Sequence, residues 1–337
     1  MPSHILTFLG LESIDTSANT FQEGHNLQPN LDWQNVAIAS SFIVLNGVMS
    51  LILGLRLEKS LIVASIRCLV QLTVMGYILE DVFKARHPAI IMLMVCILIL
   101  LGAYETVYNK CRLSFPGMFM AVLLSTAFST LLIGIIGTRY TLEQIPFWIP
   151  ETFIPTMGML LGNMMSGMAV ALSSVLTSVG TGKEQIETYL AFGASRWEAG
   201  QSITVEAVRL AMLPTINQMS VIGLISIPGM MTGQILGGAP IMGAVRYQQI
   251  IMFLISASTA LGVLMAVVAC VRVMIDNKHR LRPEKIIHGK SNVFKDLRDF
   301  IVSLCVSLAR LICCIRRKHE EDDDDDETIQ ERQPLLD

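Results

Sequence analysis

Charged side chains are scarce in this chain, and they are missing altogether from several long stretches. Only 16% of the 337 residues are Asp, Glu, Lys or Arg, whereas 52% are hydrophobic. A helix that crosses the hydrocarbon of a bilayer needs about 20 mostly apolar residues. Apolar runs of roughly that length lie at 33–55, 60–79, 88–104, 113–138, 152–182, 210–245 and 247–271. The pattern predicts an all-α, polytopic membrane protein with seven transmembrane helices, and it excludes a single large soluble domain.

Signatures of catalytic and metal sites are also missing. The seven cysteines lack the paired spacing of a zinc site or of the disulfide bonds in a secreted domain. The six histidines lie outside the apolar runs and form no cluster with carboxylates at ligand spacing. No combination of nucleophile, base and orienting residue can be assembled from the polar residues within the runs. We therefore expect neither an enzyme nor a fixed metal site.

The chain begins without the basic start, long apolar core and small-residue cleavage site of a secretory signal peptide. We interpret residues 1–32 as a polar tail and residues 33–285 as the membrane domain. Residues 286–318 are predicted to form a cytoplasmic linker and an amphipathic helix on the membrane surface. Residues 319–337, which include eight consecutive acids, are predicted to be a disordered tail.

Lys and Arg are distributed unequally between alternate loops, which predicts the orientation of the chain. The richer set of loops contains Arg56, Lys59, Lys110, Arg112, Lys183, Arg196, Arg209, Arg272, Lys278, Arg280, Arg282 and Lys285. The poorer set contains Lys84, Arg86, Arg139 and Arg246. The richer set is therefore assigned to the cytoplasm, together with the 180–209 loop and the C-terminus. The N-terminus is expected outside the cell or in a lumen, in a plasma membrane or in an endosomal or vacuolar one.

The fifth run is rich in small residues that allow close packing of helices, and the sixth is rich in prolines and glycines that interrupt a helix. In the fifth, Gly158, Gly162 and Ser166 lie four residues apart, which favours close approach of another helix. Broken backbone at membrane depth is tolerated only against protein or a water-filled path, and transporters place such breaks at their binding sites. The sixth run is therefore predicted to be interrupted repeatedly, at Pro214, Pro228, Pro240, Gly229, Gly233, Gly237 and Gly238. A proline-kinked structural helix is the alternative at any single proline.

Polar residues within the runs are candidates for contact with a solute, because burying them in hydrocarbon is costly. These candidates for the solute path are Arg67, Gln71, Glu105 and Asn163, together with the broken segment Pro228, Gly229, Met230 and Met231. A structural role, in salt bridges and hydrogen bonds between helices, is the favoured alternative. The methionines of the fifth and sixth runs suit soft metals, but deformable packing is the favoured interpretation for them.

The 180–209 loop contains a short polar stretch, ETYLAFGASRWEAG, between two apolar runs. Ile186, Leu190 and Trp197 offer an apolar face, and Gly193 permits either a tight turn or close approach by another backbone. Glu187 with Gly193 and Ala194 resembles the EAAxxxG coupling loop of ATP-binding-cassette permeases, although Thr188 and Tyr189 replace its two alanines.

The wider sequence resembles the FetB/YbbM family of permease subunits, which includes bacterial iron-export permeases and plant aluminium-tolerance proteins. The likeness is carried by PTMGMLLGNMMSGMAVAL, ETYLAFGAS, RLAMLPTINQMSVIGLISIPGMMTGQILGG and AVRYQQIIMF, within residues 33–285. It implies a transport subunit, working as a homodimer, that exports a metal ion or related solute. A separate ATPase subunit would dock on Glu187, Gly193, Ala194 and Arg196.

A phosphate-binding loop of the form GxxxxGK[ST] is absent. Gly182 and Lys183 provide a GK pair, but Thr177 and Glu184 occupy the other two defining positions. ATP is therefore expected on the partner subunit, with no cofactor in this chain. The remaining expected partners are membrane lipids and a second copy, and no nucleic acid is expected. An ion-coupled secondary transporter using Glu105 and a seven-helix receptor remain as alternative functions.

Three short patterns occur in the C-terminal segment. Apolar residues recur every three or four positions between 293 and 318, which predicts the amphipathic helix or, alternatively, a coiled-coil contact. Cys313 and Cys314 are candidate palmitoylation sites, with a purely structural role as the alternative. Glu331, Leu335 and Leu336 match the acid-dileucine pattern of endosomal or vacuolar sorting signals.

Overall fold

The computed structural model describes residues 32–85, 87–146, 148–276 and 279–288. Nine α-helices occur in these ranges: α1 (Trp33–Ile52), α2 (Glu58–Ala85), α3 (Pro88–Tyr104), α4 (Met118–Ile136), α5 (Pro150–Thr181), α6 (Lys183–Ala191), α7 (Arg196–Val221), α8 (Gly229–Leu236) and α9 (Ile241–Met274). Two π-helical segments, Glu105–Lys110 and Gly137–Thr141, continue α3 and α4. A 3₁₀ turn forms at Pro283–Lys285, and β1 (Leu113–Ser114) pairs antiparallel with β2 (Ile287–His288). The predicted all-α class is confirmed.

Six helices in the described part of the chain are long and apolar enough to cross a membrane. They comprise α1, α2, α3 with its π segment, α4 with its π segment, α5 and α9. The protein is thus an integral, multi-pass membrane protein. The helix α7 has 26 residues, but Arg196, Glu198, Glu206 and Arg209 lie within its first 14, and it does not belong to this set.

The segment predicted as the sixth span, 210–245, is interrupted as expected, but its boundaries differ. The helix α7 begins at Arg196, within the predicted 180–209 loop, and ends at Val221. Pro214 lies inside α7 without ending it, contrary to the prediction, because a proline removes only one backbone donor and can be accommodated as a kink. The breaks come later: Pro228 precedes α8 and Pro240 precedes α9.

The chain forms two compact units, one of which contains residues 32–95, 135–157 and 216–255 of the described chain. In this first unit, α1 and α2 form a helical hairpin. The turn between them includes Gly54 and Arg56 with positive φ, and the Leu57 amide donates to Ser50 Oγ over 3.0 Å. Elsewhere in the unit, Thr156 Oγ1 lies 3.4 Å from the Tyr247 hydroxyl.

The second unit contains residues 96–134, 158–215 and 256–288, and its core surrounds one face of α5. That face is buried and consists mainly of leucine, methionine and valine, namely Leu160, Leu161, Met164, Met168, Leu172, Val175, Leu176 and Val179. Gly262 of α9 packs so closely here that an added Cβ would overlap Met164 and Met168. Ser129 of α4 donates a hydrogen bond to the Met164 sulfur over 2.9 Å. Met164 and Met168 are therefore packing residues, as favoured from the sequence.

Candidate functional site

A tight corner joins the short helix α6 to the start of α7, directly after the long helix α5. Gly182 is the single residue between α5 and α6. We call residues 183–200 the α6–α7 corner. Its turn is made at Gly193, which has φ +89° and whose amide donates to the Leu190 carbonyl over 3.1 Å. The turn predicted at Gly193 is confirmed, since side chains other than glycine adopt this backbone region at a cost.

A capping box starts α7 at the end of this turn. The Ser195 amide donates to a Glu198 carboxylate oxygen over 2.7 Å, and the Glu198 amide donates to Ser195 Oγ over 3.3 Å. The two residues satisfy each other's backbone donors at a helix start, where such donors otherwise lack partners. Hydrogen bonds from the Ser195 side chain and then its backbone lower the pKa of Glu198. The Ser-x-x-Glu spacing was present in the sequence and marks where α7 begins.

Arg196 anchors the corner to the end of the last long helix. Its Nε and Nη2 donate to the Ile275 carbonyl over 3.0 and 2.6 Å, and Nη2 also donates to the Arg272 carbonyl over 2.8 Å. Carbonyls at a helix C-terminus lack intrahelical donors and carry partial negative charge, which suits a guanidinium. Close by, a Cβ on Gly200 would lie 2.6 Å from a Val271 methyl. These hydrogen bonds and the close approach at Gly200 attach the corner to the end of α9.

The outer surface of the corner presents aromatic side chains. Phe192 is 87% exposed, Trp197 50% and Tyr189 47%. Ile186 faces inward and is buried, and Leu190 is half-buried. Trp197 thus does not share one apolar face with Ile186, as the sequence suggested, because the turn at Gly193 separates its helix from that of Ile186. Exposed aromatic residues of this kind are frequent anchors of protein interfaces.

The four residues predicted to dock an ATPase all lie at the corner. Glu187 is exposed and forms an ion pair with Lys183 one turn earlier, at 3.6 Å. Gly193 and Ala194 form the turn, and the Ala194 amide donates to the Tyr189 carbonyl over 3.0 Å. Arg196 is half-buried, with its guanidinium on the end of α9. Their docking role stays a prediction, and the structure adds an anchoring role for Arg196.

An open pocket of about 340 Å³, with both polar and apolar lining, lies between the end of α5, α6 and the start of α7. Its lining includes Ser178, Thr181, Gln185, Tyr189, Ser202 and Glu206.

The structure divides the candidates for the solute path between the two units. In the first unit, Arg67 and Gln71 are exposed on α2. Gly229 is the first residue of α8, directly after Pro228, and Met230 and Met231 are half-buried on the same helix. In the second unit, Glu105 begins the π segment after α3, and its carboxylate accepts a 2.6 Å hydrogen bond from Asn109. Asn163 donates to the Met159 carbonyl over 3.0 Å within α5.

Sequence reasoning did not select Lys110, which belongs with this second group. Its ammonium donates to Ser166 Oγ on α5 over 3.0 Å. The sequence placed Lys110 in a cytoplasmic loop, whereas the structure makes it the last residue of the π segment that extends α3. Groups of three or more potential metal-ligating His, Cys, Asp or Glu residues do not occur among the described residues.

Several predicted features lie outside the described residues. They are the N-terminal tail before residue 32, the amphipathic helix and acidic tail after residue 288, Cys313, Cys314, and the sorting pattern Glu331, Leu335 and Leu336. These stay predictions.

Comparison with known proteins identifies the family. The model of a family described as "Uncharacterised protein family (UPF0014)" matches residues 33–275, which is most of the chain. The chain belongs to the UPF0014 family. The resemblance seen in the sequence is thereby confirmed, and the match covers α1 to α9.

Relatives of this UPF0014 protein occur in bacteria and plants. The UPF0014 membrane protein YjkA of Bacillus subtilis is 33% identical over 231 residues, which cover 68% of this chain and 90% of YjkA. A probable iron export permease protein of Escherichia coli, FetB, is 25% identical over 254 residues, covering 75% and 95%. The Arabidopsis thaliana protein ALUMINUM SENSITIVE 3 is 29% identical over 227 residues, covering 66% and 80%. No solved structure matches the chain.

Proposed function

We propose that this chain is the permease subunit of an ATP-driven transporter and that a separate ATP-binding subunit docks on the α6–α7 corner. The observation that carries the proposal is the construction of the corner. It presents Phe192 and Trp197 outward, while Arg196 fixes it to the end of α9. A force applied to such a surface reaches two membrane-length helices, α5 through Gly182 and α9 through Arg196.

ATP in this proposal is bound by the partner, because the chain contains no GxxxxGK[ST] loop. Two copies of the chain pair with two ATP-binding subunits, and ATP binding draws the two corners together. The corner then has to lie in the cytoplasm, which agrees with the distribution of Lys and Arg between the loops. In this topology α7 and α8 together form the sixth of seven crossings, broken at 222–228, and the N-terminus lies outside or in a lumen.

The proposed solute is a metal ion or a related solute, and the proposed direction is export. Support comes from the name of the Escherichia coli relative, a probable iron export permease, and from that of the Arabidopsis relative, ALUMINUM SENSITIVE 3. Glu105 and Asn163 supply oxygen atoms of the kind that hard cations prefer. In the first unit, Arg67, Gln71 and the Pro228–Met231 segment are the proposed contacts.

The proposal is tested by purifying the tagged full-length chain from its own membranes and identifying the ATPase subunit that accompanies it. Vesicles containing both subunits should then transport metal ions only when ATP is supplied. Phe192→Ala should reduce recovery of the ATPase at least about tenfold, a loss of roughly 1.4 kcal/mol in binding. Tyr140→Ala is the matched control, because Tyr140 is 75% exposed but lies after α4.

Two results would overturn the proposal. One is transport by vesicles that contain this chain alone, which would favour an ion-coupled carrier with Glu105 as the titrating group. The other is an equal loss of the ATPase in the Phe192 and Tyr140 variants, which would show that the corner is not the docking surface.

A further inference from the structure

The helix α5 has an unusual exposed face in the second unit. Between residues 158 and 181, the exposed positions form one stripe along the helix: Gly158, Gly162, Ser166, Val170, Thr177, Gly180 and Thr181. We call this set the α5 stripe. Val170 is its one large apolar residue, at 42% exposure. An exposed face that suits lipid tails would consist of leucine, isoleucine, valine and phenylalanine, so the α5 stripe is poorly suited to lipid.

The middle of the stripe lies at membrane depth wherever α5 crosses. The helix has 32 residues, from Pro150 to Thr181, and spans about 48 Å at about 1.5 Å per residue. A crossing requires about 20 residues. Every stretch of about that length within α5 includes Ser166, which has 16 residues before it and 15 after it in the helix. The ammonium of Lys110, hydrogen-bonded to Ser166 Oγ, is therefore held at the same depth.

Charged groups at this depth are costly against lipid. Lys110 and Asn109 are exposed, and Asn109 bonds the half-buried Glu105 carboxylate. The hydroxyls of the stripe add little to this cost, because Ser166, Thr177 and Thr181 each donate to a carbonyl four residues earlier on α5. The π segment with Glu105, Asn109 and Lys110 is thus the part of this surface that most requires cover by protein or water.

The stripe leaves space for a second helix backbone. A Cβ placed on Gly158 or Gly162 would meet no atom within 4 Å. Small residues four apart on a membrane helix allow another helix to approach closely and pack. A surface that carries both Lys110 and Glu105 is also complementary to itself under a twofold axis, since each residue can face the oppositely charged one of the other copy.

We propose that the α5 stripe is the surface on which a second copy of this chain packs, enclosing Glu105, Asn109 and Lys110 of both copies as the polar lining of the solute path. This inference rests on the proposed permease function, to which it adds the face used for pairing. The lining consists of both signs of charge and amide groups, which suits a hydrated ion or a polar solute.

Site-specific photo-crosslinking in membranes tests the pairing. Two differently tagged full-length copies are co-expressed, each with p-benzoyl-phenylalanine in place of Val170. The matched control carries the same group in place of Phe128, which is 51% exposed on α4 of the same unit. Irradiation should join the two tags from position 170 and not from position 128. The pairing is refuted by the absence of a joined product at 170, by crosslinks there only to lipid or to another protein, or by equal products at both positions.

A second pair of variants tests the role of the small residues. Gly162→Leu, introduced beside the photoreactive group at 170, should lower the yield of crosslinked dimer at least about tenfold, because leucine holds the backbones apart. Gly76→Leu is the control, since Gly76 is equally exposed and open on α2. Equal yields of crosslinked dimer in the two variants would show that the α5 stripe is not part of the interface. Both measurements need no ATPase subunit, so failed docking at the α6–α7 corner would leave their outcome unchanged.

Discussion

The α1–α2 hairpin and α5 are both made of membrane-length helices, but they present opposite surfaces. In the most apolar stretches of α1 and α2, 6% and 0% of the residues are buried, whereas the value for α5 is 56%. The exposed side chains of the hairpin are mostly large and apolar, such as Phe42, Leu45, Ile62 and Leu72. Those of α5 between 158 and 181 are small or polar, with Val170 as the exception.

Apolar composition alone therefore does not define the role of a membrane helix. A hairpin whose large apolar side chains face outward is suited to contact with lipid tails. A helix that buries its large apolar side chains and exposes glycine, serine and threonine is suited to packing against protein. Because α5 also leads directly into the α6–α7 corner, we propose that α5 is a helix that moves during transport and that the hairpin holds the protein in the lipid.

Truncation of a large side chain should have the largest effect on the free energy of unfolding. The two regions should also differ most in this effect. Leu172 on α5 is fully buried, and Leu172→Ala should lower the free energy of unfolding by about 2–4 kcal/mol through lost contacts and a cavity. Leu72 on α2 is 68% exposed, and Leu72→Ala should change it by less than about 0.5 kcal/mol. Thermal unfolding of both full-length variants in detergent measures this. Equal losses would contradict the distinction between the two surfaces.

Removal of the Arg196 anchor should have the next largest effect. Arg196→Ala deletes three hydrogen bonds to the Arg272 and Ile275 carbonyls. We expect a loss of stability of about 2 kcal/mol, as for hydrogen bonds from charged groups. In the assembled transporter, ATP hydrolysis should continue while transport falls, because the corner no longer pulls on α9.

Arg209→Ala serves as the control for this experiment, since Arg209 is exposed on the same helix. Arg196→Lys should rescue only part of the effect, because a lysine cannot reproduce the guanidinium fork. Transport and hydrolysis falling in the same proportion in Arg196→Ala would argue against a transmission role.

Opposite changes in stability are expected for the same substitution at two glycines on either side of α6. Gly193→Ala should destabilise the corner by about 1–2 kcal/mol, because φ is +89° there. Gly180→Ala should stabilise α5 by up to about 1 kcal/mol, since Gly180 is helical and a Cβ there meets no neighbour. Thermal unfolding and recovery of the ATPase subunit give the two readouts. A stabilising effect at Gly193 would show that its backbone does not hold the turn in the membrane-bound protein.

The sequence predicted the hairpin better than it predicted the sixth span, for a physical reason. The first run, 33–55, agrees closely with α1, Trp33–Ile52. The second run, 60–79, falls within α2, Glu58–Ala85. The absence of charged residues indicates which part of the chain lies in the hydrocarbon of the membrane. The helix α7 begins before that part, at Arg196. A helix tolerates charged residues outside the membrane, and the Ser195–Glu198 capping box is what sets its start.

The candidate site was predictable where the signal is local and not where it depends on distant chain segments. Gly193 in a short polar stretch indicated a turn, because glycine favours positive φ. The bonds from Arg196 to carbonyls 76 and 79 residues away depend on tertiary structure. The contact of Lys110 with Ser166, 56 residues apart, is of the same kind. The outward positions of Phe192 and Trp197 also follow from the way the turn orients two helices.

The smallest expected effect concerns the carboxylate of the capping box, and it depends on pH. Because the Ser195 side chain and backbone lower the pKa of Glu198 from its ordinary value of 4.5, the ionised form stabilises the start of α7. This stabilisation is complete above the unfolded-state pKa and is lost as the pH falls through the lower folded-state pKa. Wild type and Glu198→Gln should therefore differ in thermal stability near neutral pH and converge in acid. The difference should shrink in a Ser195→Ala background, which removes the main hydrogen-bond donor. A gap between wild type and Glu198→Gln that widens in acid would contradict this sign and would mean that the protonated carboxyl caps the helix better than the carboxylate.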